Sequence, residues 1–372
     1  MRKRISLELQ PALGNKTGIG WYTYNLTKEL CKNNENTYIG EIFSFRKKDL
    51  NEMQIPNLLI VENRFFPYRL FDKLRKYINY NFLMKTHSDI YCFFNFHIPS
   101  KIKGKIIVVI HDVVFAEYPE SCKKPKPLSA YIESIEKSDI IVTVSESSKR
   151  GILKYFKVNP DKIKIVPPGI YLEDYQKKYA EEELKLVKEK YKLSGKFILY
   201  LGTIEPRKNI SNIILAFDKY KSLNNDNLKL VIAGRKGWKY EEIFEVYKNS
   251  KYKNDILFID YVDEKDKIKL YKLAELFIFP SLYEGFGMPV LEAMAAETPV
   301  ITSNVSSLPE VAGKGAILVN PNSIEEISKA IEKIIDGDKK FIEKMIKEGK
   351  KQAEKYTWEK SAKKLEQMYE EI

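Results

Sequence analysis

The strongest constraint on this chain is a pattern met twice: short runs that are apolar almost throughout, separated by stretches of helical periodicity. In the first half the runs are RISLELQ, YIGEIFSF, DIYCFFNF, KIIVVIHD, DIIVTVS and IKIVPPG. In the second half they are KFILYLG, LKLVIAG, ILFIDY, LFIFPS, PVITSN and AILVNP. A strand wetted on one face alternates apolar and polar residues, whereas a strand covered on both faces need not. Separated by patterns such as NISNIILAFDKYKSL, these runs predict parallel sheets with helices on both faces. Between the two series lies VPPGIYLEDYQKKYAEEELKLVKEK, a Pro-Pro-Gly break followed by a charged helix. The expected fold class is therefore α/β, with two doubly wound Rossmann-like domains. The first spans residues 1–170 and the second 171–355. The chain ends in successive helices with no further strand.

Two domains agree with the length, since 372 residues exceed one ordinary core. Cys31, Cys92 and Cys122 are odd in number and widely spaced, which argues for reduced thiols and against a zinc site. MRKRISLELQP has no apolar stretch of signal-peptide length behind its basic residues, and no run approaches the roughly 20 residues of a membrane helix. A cytoplasmic protein is expected. Charge is uneven: 28 of the 63 Lys and Arg and 17 of the 51 Asp and Glu lie in residues 1–170. Of the net +12, +11 thus belongs to the first half and +1 to the second. Such a field attracts polyanions, an anionic membrane surface or nucleic acid, although a solubilising surface gives the same count. No nucleic-acid-binding motif is visible, so nucleic acid is not an expected partner.

Open parallel sheets bind ligands outside the carboxyl ends of their strands. His111 and Asp112 close KIIVVIHD, Arg207 and Lys208 follow KFILYLG, and Glu284 follows LFIFPS. After Glu284 comes GFGMPVLE. Gly285 and Gly287 let the backbone approach a ligand, and Pro289 is placed to open a helix at no cost in hydrogen bonds. The helix start offers free N–H groups to an anion such as diphosphate. Glu284 and Glu292, as acceptor-only carboxylates, suit a ligand rich in hydroxyls. A capping Glu and a helix-face Glu would be the structural alternative. TGIGWYTYNL is a glycine loop before a helix starting near Trp21, but ALGNKTGIGWY lacks the GxGxxG spacing of a dinucleotide site. The DGD at 336–338 lies between two amphipathic helices, where Gly is an ordinary turn residue.

SLYEGFGMPVLEAMAAETPVITSNVSSLPEVAG resembles the Glu-x7-Glu region of the retaining, family-4 (group 1) glycosyltransferases with the GT-B fold. YLGTIEPRKNI is similar to that family's donor-phosphate loop, LVIAGRKGW to its next strand and turn, and TGIGWYTYNL to its N-terminal glycine loop. TVSESSK and VPPGI resemble two smaller landmarks, all in the family's order. The resemblance implies two domains facing a central cleft, the first binding the acceptor and the second a nucleotide-sugar donor. It also implies a final helix, about 356–372, packed back on the first domain.

Roles follow by resemblance. Glu292 would accept from the donor ribose hydroxyls, with Gly285, Phe286, Gly287 and Met288 lining the donor site. Glu284 would hold hydroxyls of the transferred sugar, and Arg207 and Lys208 would neutralise the departing diphosphate. His111 would line the sugar pocket, and Gly18 and Gly20 would form a loop over the reaction centre. Many relatives carry a basic residue where this chain has Trp21, and some an arginine where it has Thr203. Neither metal nor cofactor is implied, the nucleotide sugar being a substrate. The expected activity is metal-independent transfer of a hexose, mannose favoured, to a glycan or lipid-linked acceptor. A UDP-hexose donor, or a sugar-nucleotide-binding protein without turnover, are the alternatives. Substituting Arg207 or Lys208 is expected to depress turnover more than folding.

Overall fold

In the computed structural model the described residues are 2–14, 16–45, 53–99, 101–122 and 128–372. The basic cluster at 46–48 and most of that at 122–127 lie outside them. The chain divides into two compact units, Met1–Ala116 with Pro125–Gly169 and Trp358–Ile372, and Glu117–Lys124 with Ile170–Thr357. A short piece of the first 170 residues thus belongs to the second unit: the Trp238 indole N–H donates to the Ser121 carbonyl, and the Tyr118 and Tyr283 rings lie 5.8 Å apart.

The first unit is built on seven parallel strands, β1 (Arg4–Glu8), β2 (Thr37–Phe43), β3 (Leu58–Asn63), β4 (Ile90–Phe93), β5 (Lys105–Val109), β6 (Ile140–Thr143) and β7 (Ile163–Ile165). Their order is β3-β2-β1-β4-β5-β6-β7. The second unit has six parallel strands, β8 (Phe197–Leu201), β9 (Lys229–Ala233), β10 (Ile256–Ile259), β11 (Leu276–Phe279), β12 (Val300–Ser303) and β13 (Ile317–Val319). These run β10-β9-β8-β11-β12-β13. Both sheets are the parallel, helix-covered kind expected from apolar runs, and β11 and β12 are buried at every position.

β3 was not anticipated. It is an edge strand with Leu59 58% exposed, and its Leu-Leu-Ile-Val run stands beside no quoted turn or helix signal. In each sheet the strand order reverses at one place, between β1 and β4 and between β8 and β11. Chain crossing in opposite directions at such a reversal leaves a crevice at the carboxyl ends of the two strands, where ligands bind in this class of sheet.

The last helix, Trp358–Glu371, belongs to the first unit. Its Trp358 ring lies 5.9 Å from that of Tyr22, and the Ser361 hydroxyl donates to the Pro167 carbonyl at 2.6 Å. Among the described residues, no helix is long and apolar enough to cross a membrane.

Candidate active site

At the β8/β11 reversal, three of the expected site residues meet. Beyond β8 the chain makes a tight 3-10 turn at Pro206–Lys208, and Asn209 then takes a left-handed conformation (φ 62°, ψ 33°) to enter the helix Ile210–Leu223. Asn tolerates that conformation better than most residues. Its side-chain amide also ties the turn down, donating to the carbonyls of Pro280 (3.0 Å) and Pro321 (2.6 Å). The turn thereby points Arg207 and Lys208 at the loop that follows β11.

Glu284 receives both cations. Arg207 Nη1 lies 2.9 Å from Glu284 Oε2, and Lys208 Nζ 2.6 Å from Oε1, to which Ser281 Oγ also donates at 2.6 Å. Arg207 reaches two further acceptors, Glu205 Oε1 at 2.7 Å and the Tyr283 carbonyl at 2.5 Å. Lys208 Nζ stands 4.9 Å from the centre of the Phe279 ring. All four charged side chains are largely withdrawn from water, so these contacts are weakly screened.

The protonation states follow. Burial would raise the Glu284 carboxyl, but Arg207 and then Lys208 outweigh it and hold it at about 2. Burial raises Glu205 above the usual carboxylate range, against the pull of Arg207 and Lys208. Burial lowers Lys208, with Glu284 opposing. The result is a compact array of two cations and two carboxyls. A guanidinium fork and a compact ammonium side by side are suited to an anionic oxygen cluster.

The glycine-rich loop is braced from β12. The Ser307 hydroxyl donates to the carbonyls of Glu284 (2.9 Å) and Phe286 (2.7 Å), and Ser306 Oγ accepts from the Glu284 N–H at 3.1 Å. Gly287 has φ 112°, and a Cβ there would meet Leu308 at 2.6 Å, so both backbone and space demand glycine. The helix Met288–Ala295 opens next, with Pro289 in its first turn as expected. The Phe286 ring is buried edge-on to Tyr356, with centroids 5.3 Å apart.

Glu292 is buried in a second charged group, bonded to Lys267 Nζ at 2.8 Å and to the Tyr271 hydroxyl at 2.9 Å. Lys267 also pairs with Glu264 at 3.0 Å. Burial would lower this ammonium, but Glu292 and Glu264 raise it, so Lys267 stays charged. Sequence reading missed Glu205, Asn209, Lys267, Tyr271, Ser306 and Ser307. Only Asn209 carried a local signal, an Asn between a charged turn and a helical pattern.

His111, Gly18 and Gly20 belong to the first unit. His111 follows β5, with Nε2 3.0 Å from the Phe94 carbonyl and its ring 5.0 Å from that of Tyr22, edge to face. Burial lowers its pKa, against the Phe94 carbonyl and Asp112, so the ring is neutral at pH 7, with the proton on Nε2 toward that carbonyl. The two glycines do not form a loop. The helix begins at Gly18, three residues before the expected Trp21, with Thr17 as its extended N-cap. Glycine costs little in a first turn whose N–H groups have no intrahelical partner. A Cβ on Gly20 would meet the Pro11 carbonyl at 2.6 Å, so close approach accounts for this glycine.

The family model Glycosyl transferases group 1 matches residues 182–352, the part that carries this charged array, and Glycosyltransferase Family 4 matches residues 16–174. The chain belongs to these glycosyltransferases. It is 29% identical to the O-antigen chain mannosyltransferase B of Escherichia coli, over 96% of each chain. It is 28% identical to the O-antigen chain mannosyltransferase RfbU of Salmonella typhimurium, over 61% of this chain and 60% of that one. Among solved structures, a glycosyltransferase from Rickettsia africae superposes with a TM-score of 0.76 at 19% identity, covering 100% of this chain and 98% of that one. HepE of Anabaena, in complex with UDP and glucose, superposes with a TM-score of 0.77 at 13% identity over 100% of both chains. The glycosyltransferase thus has the GT-B fold, two parallel-sheet Rossmann-like domains.

Proposed function

We propose that this glycosyltransferase moves mannose from GDP-mannose to a glycan or lipid-linked acceptor of a surface polysaccharide, with retention at the anomeric carbon and without a metal. The observation that carries the reading is the buried Arg207–Lys208–Glu284 array at the β8/β11 reversal. The acceptor hydroxyl oxygen bonds to the anomeric carbon as the bond to the diphosphate breaks, and its proton passes to the leaving phosphate. Arg207 and Lys208 meet the charge that grows on that leaving group. Glu284 holds both cations in place and offers its oxygens to sugar hydroxyls, and Glu292 takes the ribose. Mannose and polysaccharide assembly are supported by the mannosyltransferases to which the chain is similar.

The test combines thermal shift with a transfer assay over GDP-mannose, UDP-glucose and UDP-galactose. GDP-mannose should stabilise the protein and be turned over, with full activity after EDTA. Glu292→Gln should weaken nucleotide binding by about 1.5–3 kcal/mol, the worth of a hydrogen bond to a charged group. A response to UDP sugars alone would replace mannose by another hexose. Binding without release of nucleotide would leave a sensor rather than an enzyme.

The first unit is further proposed to dock on an anionic membrane surface. Of the stretch 63–84, Phe71, Tyr80 and Met84 are buried, but Phe65 is 92%, Phe82 83% and Tyr77 77% exposed. Exposed Arg69, Lys73 and Lys85 lie beside them along the chain. Arg75 is tied to Asp72 with its side chain mostly buried, while Lys76, 3.2 Å from Glu133, keeps an exposed side chain. Each basic residue near an anionic leaflet is worth about 1 kcal/mol, and shallow aromatic insertion adds to it. Sedimentation with anionic vesicles should fade as salt rises and drop in Phe65→Ser, Phe82→Ser and Lys73→Gln. Indifference to such vesicles at low salt would favour a soluble acceptor.

A further inference from the structure

The β1/β4 reversal of the first sheet corresponds in topology to the charged crevice of the second, and polar groups converge there too. Glu8 ends β1, in register with Glu41 of β2 and Phe93 of β4. His97 follows β4 by four residues, and its Nδ1 lies 2.5 Å from Asp72 Oδ1. Asp72, in the helix Tyr68–Leu74, also pairs with Arg75 Nη1 at 3.0 Å. Glu8, Asp72 and Arg75 all lie close enough to act electrostatically on Tyr68.

Two of these groups carry atoms that the fold leaves unsatisfied. Glu8 is 7% exposed, and its Oε1 is buried with no hydrogen-bond partner, as is Arg75 Nε. Both atoms lie at the same reversal of the strand order. Buried polar atoms are nearly always bonded, and exceptions call for an explanation. Glu41, on the neighbouring strand, shows what a structural carboxyl looks like: its oxygens accept from Ser6 (2.9 Å), Tyr80 (2.7 Å) and Thr86 (2.5 Å). Glu8 has no such set. Burial raises its pKa to about 8, against the Gln10 N–H and with Glu41 and Asp72 adding to the rise. At neutral pH it is therefore an acid that can donate one hydrogen bond and accept others, as a sugar hydroxyl can.

We propose that Glu8, Asp72, Arg75 and His97 form a subsite for the hydroxyl groups of an uncharged sugar, the acceptor end of the transfer. The inference rests on the glycosyltransferase reading and adds a location and a ligand class to it. The one guanidinium is already paired with Asp72, so no positive charge is left over to attract a phosphate. Carboxyl, carboxylate, guanidinium N–H and imidazole together match a polyol. In this role Glu8 and Asp72 accept from and donate to hydroxyls, while Arg75 Nε gains the acceptor it lacks.

The experiment measures binding of methyl α-mannoside and mannobiose to the full chain by ligand-observed NMR, with GDP and UDP binding followed separately by calorimetry. Glu8→Leu removes the unsatisfied carboxyl without opening a cavity, so it should fold. It is expected to weaken sugar binding at least about ten-fold, the value of one or two hydrogen bonds. Glu8→Gln should stay within about three-fold of wild type. Asp72→Asn, at a half-exposed position, should weaken the sugar several-fold. Nucleotide affinity should not move in any of the three. Wild-type sugar affinity in Glu8→Leu, or no sugar binding by the wild type, overturns the subsite. Loss of all nucleotide binding alongside intact, Glu8-dependent sugar binding would instead overturn the donor reading and leave the subsite standing.

Discussion

Arg207→Ala is expected to lower kcat by about 10²–10³, the usual cost of removing one donor aimed at charge that develops in the transition state. The same variant should lose stability, which the sequence alone did not suggest. Arg207 binds Glu284, Glu205 and the Tyr283 carbonyl at once, and its side chain is only 17% exposed. Breaking a buried pair by removing one partner leaves a charge without compensation and costs about 3–5 kcal/mol. Lys208 still serves Glu284, so the lower end of that range is expected. The two effects can be separated. Arg207→Ala with Glu205→Gln removes the orphaned carboxyl together with its partner, so melting temperature should partly recover while turnover does not. Lys208→Met, which keeps the apolar stem beside Phe279, should likewise depress kcat more than nucleotide affinity. A kcat within three-fold of wild type in either single variant would remove these cations from the reacting phosphate.

The same array shows what local sequence could and could not reveal. Arg207, Lys208, Glu284 and Glu292 were legible because each sits just beyond a strand or inside a helix start, positions defined by periodicity and by Gly and Pro. Their partners were not. Glu284 and Lys208 are 76 positions apart, as are Arg207 and the Tyr283 carbonyl, and Lys267 is 25 from Glu292. Such pairs come from strand order, which no single run of residues encodes. The mean fold followed from twelve apolar runs, yet β3 escaped because an edge strand is half-wet and reads as loop. The helix start at Gly18 escaped for the opposite reason, since two glycines look like a loop until packing against Pro11 is known. Glu8 was in view throughout, a carboxyl closing the apolar run RISLE. Its significance needed Glu41 and Asp72, which reach it from β2 and from the helix Tyr68–Leu74.

That carboxyl predicts a pH-dependent stability of definite sign. Glu8 is raised from 4.5 to about 8, so the folded chain keeps a proton that the unfolded chain releases. Between those values the native state binds more protons than the unfolded one, and stability falls as pH rises. Below 4.5 both states are protonated and no cost exists; above 8 the cost is complete. Its size is on the order of 3–5 kcal/mol, since each tenfold change in proton affinity is worth about 1.4 kcal/mol. The groups that act on Glu8 are the Gln10 N–H, Glu41 from β2 and Asp72 from the Tyr68–Leu74 helix, and Tyr68 of that helix feels the Glu8 charge. Burial raises Glu41 as well, against its three hydroxyl donors, so the wild-type profile contains two carboxyls titrating upward. The difference between wild type and Glu8→Gln isolates one of them. That variant should melt at the wild-type temperature near pH 4.5 and about 6–20 °C above it at pH 9, at roughly 2–4 °C per kcal/mol for a unit of this size. An equal melting difference at both pH values would mean that Glu8 is ionised in the folded protein, and that a partner for its carboxylate exists which the fold does not reveal.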